Sequence, residues 1–183
     1  EYQGHGWGCA WRQDGRWQLY KNIDPVWDDT YEQFGTTKRL LVHARSAFRD
    51  EGIHIKNNMP FRHNDIIFIF NGELHGVRIK SEGRIGAEKI FNYILRFQKN
   101  DLGHALQKGT AIIAKRSAYV RAMNIIMADD KKAYLSSTFS EMPQYFTMHE
   151  KRTNDQLLVS SAPYLDESDW NPIPNHTIKE YAL

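Results

Sequence analysis

The sequence predicts an α+β domain in which helices pack on antiparallel sheets. Strand-like segments run up to about residue 75, two amphipathic helical segments follow, and further strand-like segments complete the 183-residue chain. Strands, then helices, then strands within one chain are typical of this fold class. With 41% hydrophobic and 13% aromatic residues, a chain of this length can bury the core of one domain. Because we find no repeat or linker, residues 1–183 are interpreted as a single domain.

The first segment predicts a β-hairpin. Strand-like runs at 6–13 and 16–21 flank Asp14-Gly15, a dipeptide that favours the tight turn of a hairpin. One face of the first run carries only glycine and alanine at alternate positions. We therefore expect another backbone or a ligand to approach that face closely.

Two further strands, expected over 38–47 and 65–74, each end in polar groups. The first contains His43-Ala44-Arg45, and the apolar run of the second ends in Asn71-Gly72. Side chains at such strand ends leave the core and face a cleft. An Asn amide beside a Gly backbone N–H is a donor pair suited to an oxyanion, and an Arg fork can clamp a carboxylate. The sequence therefore indicates a site for a small amino acid or amide whose carbonyl is attacked.

The second half of the chain predicts two helices followed by strands. The segment 87–98 places its apolar residues on one broad stripe, and Asp101 can cap a second helix that runs to about residue 113. The remaining expected elements are a short helix at 28–34, loops at 49–64 and 75–85, and strands near 122–128, 132–138, 144–149, 156–161 and 177–181.

Composition bears on compartment and partners. The net charge of +2 argues against a dedicated nucleic-acid surface, and the short apolar runs argue against a membrane span. The single cysteine, Cys9, excludes an internal disulfide and fits a reducing, cytoplasmic location. The histidines lack the close paired spacing of a zinc site, so neither a metal nor another cofactor is expected.

Several motifs together resemble a known family. Segments 6–11, 43–47, 58–61 and 70–74 occur in the chain order of four class II glutamine amidotransferase motifs. These are the Gly-Trp-Gly strand, the His-x-Arg-x-Ala strand, the His-Pro-Phe turn and the His-Asn-Gly strand. Segment 161–164, with Trp170 and Pro174, also resembles the C-terminal stretch of the stand-alone bacterial and archaeal type. The resemblance covers nearly the whole chain.

The resemblance implies an Ntn-hydrolase-like fold, a four-layer αββα sandwich of two antiparallel sheets flanked by helices. It also implies hydrolysis of the glutamine side-chain amide, with release of ammonia, by an N-terminal cysteine whose α-amine acts as base. Arg45 matches the arginine that holds the substrate α-carboxylate, and Asn71 and Gly72 match the oxyanion donors. The implied partners are glutamine or a similar small amide, and a second copy of the chain or a separate synthase.

The chain departs from the family pattern at several positions. Residue 1 is Glu, and Cys9 matches a strand residue, which we interpret as a small buried hydrophobe. Because the chain starts without Met inside a strand-like pattern, we expect an upstream strand that carries the nucleophilic cysteine. Gly86 replaces the acid that pairs the substrate α-amine, and Glu88 matches only the last residue of that motif. Phe70 and Met59 stand where the family has His.

Three hypotheses follow from this pattern. The chain is the bulk of a glutamine amidotransferase without its opening strand, or a degenerate relative that binds a ligand or partner without hydrolysis. The third hypothesis is an Ntn-type hydrolase of a different amide that lacks an α-amine, which would explain Gly86 while Arg45 and Asn71 are kept. The first and third rank ahead of the second because the donor pair and the Arg are present.

Overall fold

The computed structural model describes residues 3–99 and 101–182, with only the backbone of Phe48, so residue 1 lies outside the described residues. The strands are β1 Trp7–Gln13, β2 Arg16–Asn22, β3 Leu40–Ala44, β4 Phe61–His63, β5 Ile66–His75, β6 Tyr119–Ala128, β7 Lys132–Ser137, β8 His149–Arg152, β9 Leu157–Ser160, β10 Asn171–Pro172 and β11 Thr177–Ala182. The α-helices are α1 Gly86–Leu95, α2 Leu102–Lys115 and α3 Pro143–Phe146. Within the described ranges, none of the helices has the length and apolarity that a membrane span requires.

A five-stranded antiparallel sheet forms the centre of the fold, in the order β11-β7-β6-β5-β4. One of its faces packs against α1 and α2 in the largest core cluster, in which the rings of Phe68 and Phe91 stack at 4.8 Å. The predicted helices form because each has an apolar stripe, and Asp101 caps the second by accepting from the His104 backbone N–H. This packing fixes the sheet and α1 as one layered unit.

The opposite face of the central sheet carries two three-stranded sheets side by side. The sheet β2-β1-β3 packs through Ala10 and Trp17 against Ile67. The sheet β10-β8-β9 packs through Leu157 and Val159 of β9, together with Met148 directly before β8, against Leu135. Since side chains alternate along a strand, Ile67 faces this second layer while its neighbour Phe68 faces the helices.

The predicted hairpin is confirmed, with Gln13 paired to Arg16 across the turn. The expectation of a close backbone approach to β1 is confirmed as well. A Cβ added at Gly8 would lie 2.5 Å from the Met59 carbonyl oxygen, so only glycine allows the 57–60 segment to pack here.

The outer face of β1 and β2 is covered by 3₁₀ turns rather than by the short helix expected at 28–34. The turns span Val26–Asp28 and Tyr31–Phe34. Asp29 fastens them, because its carboxylate accepts hydrogen bonds from Trp7 Nε1 at 2.9 Å and from the Tyr20 hydroxyl. The α+β class with several antiparallel sheets is confirmed. The second helical layer of the four-layer sandwich is not seen in the described part of the chain and stays a prediction.

Two further local predictions were wrong. The strand expected at 144–149 is replaced by α3, because Pro143 favours the first turn of a helix and the strand β8 begins only at His149. The loop expected at 49–64 contains β4, which pairs with the start of β5. That strand is three residues long, too short for an alternating pattern to reveal it.

Candidate functional site

A cleft of about 2230 Å³ lies between the two three-stranded sheets. The strands β3 and β9 border it, and in the described ranges each pairs on one side only, β3 with β1 and β9 with β8. Residues of β5 and β6, including Asn71 and Asn124, also line it, as does the start of α1. The cleft therefore lies where the second sheet layer is interrupted.

Arg45 extends from the end of β3 into this region and is only 7% exposed. Its Nη1 donates to the Gly52 carbonyl at 3.1 Å and to Asn58 Oδ1 at 3.2 Å. Its Nε and Nη2 have no hydrogen-bond partner among the residues that the structure describes. A guanidinium held by one nitrogen leaves one edge available for two parallel hydrogen bonds to a carboxylate.

Beyond its pairing with β4, the strand β5 pairs only with β6 in the described part of the chain, and its other edge supplies backbone groups to the same cleft. The Met123 N–H donates to the Thr138 carbonyl, away from β5, so Asn124 is the residue that bonds across to Asn71 in the antiparallel ladder. By the same alternation, the N–H of Gly72 and the carbonyl of Phe70 point away from β6. His43 Nε2 lies 3.1 Å from that Phe70 carbonyl oxygen, which agrees with this direction.

Asn71 and Gly72 differ in the contacts that constrain them. In the described part of the chain, the Asn71 side chain has no hydrogen-bond partner and lines the cleft. Its neighbour Asn124 is fixed, with Nδ2 donating to the Phe146 carbonyl and Oδ1 accepting from Ser137. At Gly72 an added Cβ would lie 2.1 Å from the Ala122 carbonyl oxygen, so β6 comes too close for any other residue.

The sequence analysis assigned no role at the site to His43 or to Asn58. His43 joins the β3 edge to the β5 edge, and burial, with the nearby Arg45 charge, lowers its pKa from 6.5 to about 4. The imidazole is therefore neutral at pH 7, and its buried Nδ1 lacks a partner among the described residues. Asn58 donates to the Asn22 carbonyl and accepts from Arg45, so it orients the guanidinium. The only sequence signal for this role of Asn58 was its position directly before Met59-Pro60.

Gly86 and Glu88, the residues predicted at the start of α1, occupy different environments. Gly86 lines the cleft, and a Cβ added there would meet no atom within 4 Å. The Glu88 carboxylate is bound by the Arg84 guanidinium and backbone N–H, and the Arg84 hydrogen bonds lower its pKa. Glu88 is not among the cleft-lining residues. The structure thus brings Arg45, Asn71, Gly72 and Gly86 to one cleft, and leaves Glu88 in an ion pair.

Cys9 lies in the core, with 3% of its surface exposed, and does not line the cleft. Burial raises the pKa of its thiol to about 11, and the nearby Asp29 charge is the second cause of this increase. A thiol with that pKa is a poor nucleophile at neutral pH. The interpretation of Cys9 as a small buried hydrophobe agrees with this placement.

The arrangement combines a cation with a free edge, an unpaired amide and an outward backbone N–H along one cleft. Such groups can hold a carboxylate and stabilise negative charge on a neighbouring carbonyl oxygen. Within the described ranges, no three or more His, Cys, Asp or Glu side chains are arranged to hold a metal ion.

Comparisons with known proteins give structural neighbours only. No family profile and no curated protein sequence matches the chain. A glutamine aminotransferase class-II domain protein from Silicibacter pomeroyi has a TM-score of 0.71 at 18% identity, over 95% of this chain and 86% of that one. A predicted glutamine amidotransferase from Pseudomonas aeruginosa has a TM-score of 0.66 at 14% identity, over 97% and 85%.

A third neighbour is a longer chain, of which less than half is covered. Glutamine phosphoribosylpyrophosphate amidotransferase from B. subtilis matches with a TM-score of 0.62 at 16% identity, over 98% of this chain and 43% of that one. At these identities the likeness establishes the fold alone. The resemblance that the motifs predicted is confirmed at that level: this chain has the fold of class II glutamine amidotransferase domains.

Proposed function

We propose that this domain hydrolyses a small carboxylate-bearing amide and releases ammonia, as the fold and the cleft together suggest. The observation that carries the proposal is the shared cleft, lined by Arg45 directly after β3 and by Asn71 and Gly72 from β5. In this scheme Arg45 binds the substrate carboxylate through its free edge. The Asn71 amide and the Gly72 N–H receive the oxyanion that forms when the amide carbonyl is attacked.

The nucleophile in this proposal is a cysteine on a further β-segment that enters between β3 and β9. Three observations support it: the interrupted sheet layer, the one-sided pairing of both bordering strands, and the absence of the chain's one cysteine from the cleft lining. A strand added there would place its end beside Asn71. Its α-amine could then serve as base for its own thiol.

The first test is the Asn71→Ala variant of a protein that carries the proposed cysteine segment. We expect kcat for ammonia release to fall by on the order of 10²–10³, the usual loss when one oxyanion donor is removed. The matched control, Asn92→Ala on the outer surface of α1, should keep the wild-type kcat. Near-normal turnover in Asn71→Ala would exclude this residue from the mechanism.

The second test is Arg45→Lys, measured in the same ammonia assay. A lysine supplies one point charge in place of a two-pronged clamp, so KM should rise more than kcat falls. Arg16→Lys, on the exposed side of β2, is the control for the charge-conserving change. If KM is unchanged in Arg45→Lys, the substrate carboxylate is not bound here.

A specific observation favours a substrate without an α-amine over glutamine itself. The position of Gly86 offers no carboxylate, and the nearby Glu88 is already paired with Arg84. Glutamine bound by Arg45 would therefore leave its ammonium without an anionic partner at the start of α1. The second candidate function is accordingly hydrolysis of the ω-amide of an unsubstituted dicarboxylic acid.

Glutarate monoamide, which is glutamine without its α-amine, separates the two candidates. We expect kcat/KM for glutarate monoamide to exceed that for glutamine in the wild type, and Gly86→Asp to reverse the order. A preference for glutamine in both proteins would favour glutamine as the substrate. Binding of both compounds without any ammonia release would instead support a non-catalytic ligand-binding domain.

A further inference from the structure

A second groove, of about 790 Å³, lies on the helical layer of the molecule. The loop before α1, the last turn of α1 and the C-terminal part of α2 form it, and it shares no lining residue with the main cleft. Two contacts fix its walls: the Arg78 N–H donates to the Arg116 carbonyl at 2.9 Å, and Arg96 Nη1 donates to the Lys80 carbonyl at 3.1 Å. The groove is therefore already formed in the unbound chain.

The groove is lined by five exposed cations and no acid, namely Arg78, Lys80, Arg96, Lys115 and Arg116. None of these five has a carboxylate within ion-pair distance in the described part of the chain. Elsewhere Lys132, Lys151 and Lys179 each pair with a glutamate. The overall net charge of +2 thus conceals a local concentration of positive charge, which attracts anionic partners.

Helix ends account for only some of these charges. Arg96, Lys115 and Arg116 lie at the C-termini of α1 and α2, where the helix dipole favours cations. Arg78 and Lys80 belong to the loop before α1 rather than to a helix end. Their approach to three other cations costs electrostatic energy unless an anion is bound.

The floor of the groove is apolar, and this indicates which type of anionic partner fits it. Tyr93, Phe97 and Ile112 line it. Each ring already carries a cation, with the Arg96 guanidinium 5.4 Å from the Tyr93 centroid and Lys108 Nζ 5.3 Å from that of Phe97. A nucleic-acid base would have to stack flat on an aromatic face, and a cation already covers one face of each of these rings. A free phosphate would not use an apolar floor.

We propose that this basic groove, defined by its eight lining residues, docks an acidic segment of a partner protein. An apolar side chain of the segment packs against Phe97 and Ile112, and its carboxylates reach the five cations. Charge complementarity of this kind sets specificity and association rate. The desolvated apolar contact supplies the remaining affinity. This inference does not depend on the proposed hydrolysis.

The test uses a fluorescein-labelled synthetic peptide of alternating glutamate and leucine, titrated with chain 1–183 in a fluorescence polarisation assay. Arg78→Glu combined with Lys115→Glu should weaken binding at least tenfold. The charge-matched control, Arg16→Glu combined with Lys131→Glu, alters exposed cations elsewhere and should change the affinity less than threefold. A peptide with serine in place of leucine should bind several-fold more weakly than the leucine peptide.

Three results would overturn the proposal. The first is equal affinity of the leucine peptide for the groove variant and the control variant. The second is equal binding of the serine and leucine peptides, which would make the groove a simple charge patch. The third is tighter binding of a labelled single-stranded DNA oligomer that is lost in the groove variant, because the occupant would then be a nucleic acid. Unchanged thermal unfolding of both double variants confirms that they are folded.

Discussion

At the scale of single residues, the site is defined by polar groups whose donors have no hydrogen-bond partner in the described part of the chain. Arg45 and Asn71 both lie on the cleft with donors unused by the described residues, while Asn58 and Asn124 are hydrogen-bonded on both sides. Arg45 is buried, and a buried polar group with an unused donor costs free energy. A ligand that supplies acceptors to Arg45 and Asn71 recovers part of that cost, which is a physical reason for binding here.

The lowered pKa of His43 predicts how the stability of the protein depends on pH. Its folded pKa of about 4 lies below the ordinary 6.5, so folding disfavours the imidazolium. Its contribution to the free energy of unfolding is complete above about pH 6.5 and is lost as the pH falls towards 4, by roughly 3 kcal/mol at most. We expect urea unfolding to show a steeper loss of stability between pH 7 and pH 4.5 in the wild type than in His43→Gln.

The variant His43→Gln keeps a side-chain donor for the Phe70 carbonyl but cannot titrate. The difference between the two proteins therefore isolates this imidazole from the other histidines. If both proteins lose stability in parallel, then His43 titrates as it does in the unfolded chain, and the strand-to-strand contact contributes no pH dependence.

At the scale of elements, two glycines in the helical layer should respond in opposite ways to the same substitution. Gly109 in α2 faces α1, and an added Cβ would lie 2.8 Å from Ile94 Cγ1 and 3.1 Å from its Cα. Gly86, in the first turn of α1, has open space. In Gly86→Ala the unfolded chain loses freedom without a clash, so stability should rise by about 0.5 kcal/mol.

In Gly109→Ala the gain in helix propensity is outweighed by overpacking against a backbone atom, so stability should fall by about 1 kcal/mol. Chemical denaturation at pH 7 measures both changes, and an unaltered m-value shows that the same transition is compared. Equal stabilisation by the two substitutions would mean that α1 and α2 are not packed as closely as described.

How well an element could be predicted from the sequence depended on the range of its contacts. The β1–β2 hairpin and α2 carry their own turn and cap residues, so local reasoning found them. The short strand β4 is defined by pairing with β5, and no local pattern reveals it. For the site, strand ends predicted that Arg45 and Asn71 face a cleft. The spacing could not show whether Glu88 faces that cleft or its neighbour Arg84, four residues earlier.

At the scale of the whole molecule, the second sheet layer is divided into two sheets that border one cleft. The Arg45 N–H donates to the Gly6 carbonyl, and the Arg45 carbonyl accepts from the His5 N–H. By alternation along β3, the N–H groups of Leu41 and His43 also point to β1, whereas those of Val42 and Ala44 point to the open edge. The proposed β-segment would bond to that edge.

Amide hydrogen exchange can test this closure residue by residue. In chain 1–183, we expect fast exchange at Val42 and Ala44 and slow exchange at Leu41 and His43, measured by NMR. In a longer protein that carries the proposed β-segment, pairing of that segment to β3 should slow exchange at Val42 and Ala44 by at least tenfold, because the amides become hydrogen-bonded. Leu41 and His43, which bond to β1 in both proteins, are the internal control. Equally fast exchange at Val42 and Ala44 in the longer protein would mean that the proposed segment does not pair there, and the proposed nucleophile would have to reach Asn71 by another route.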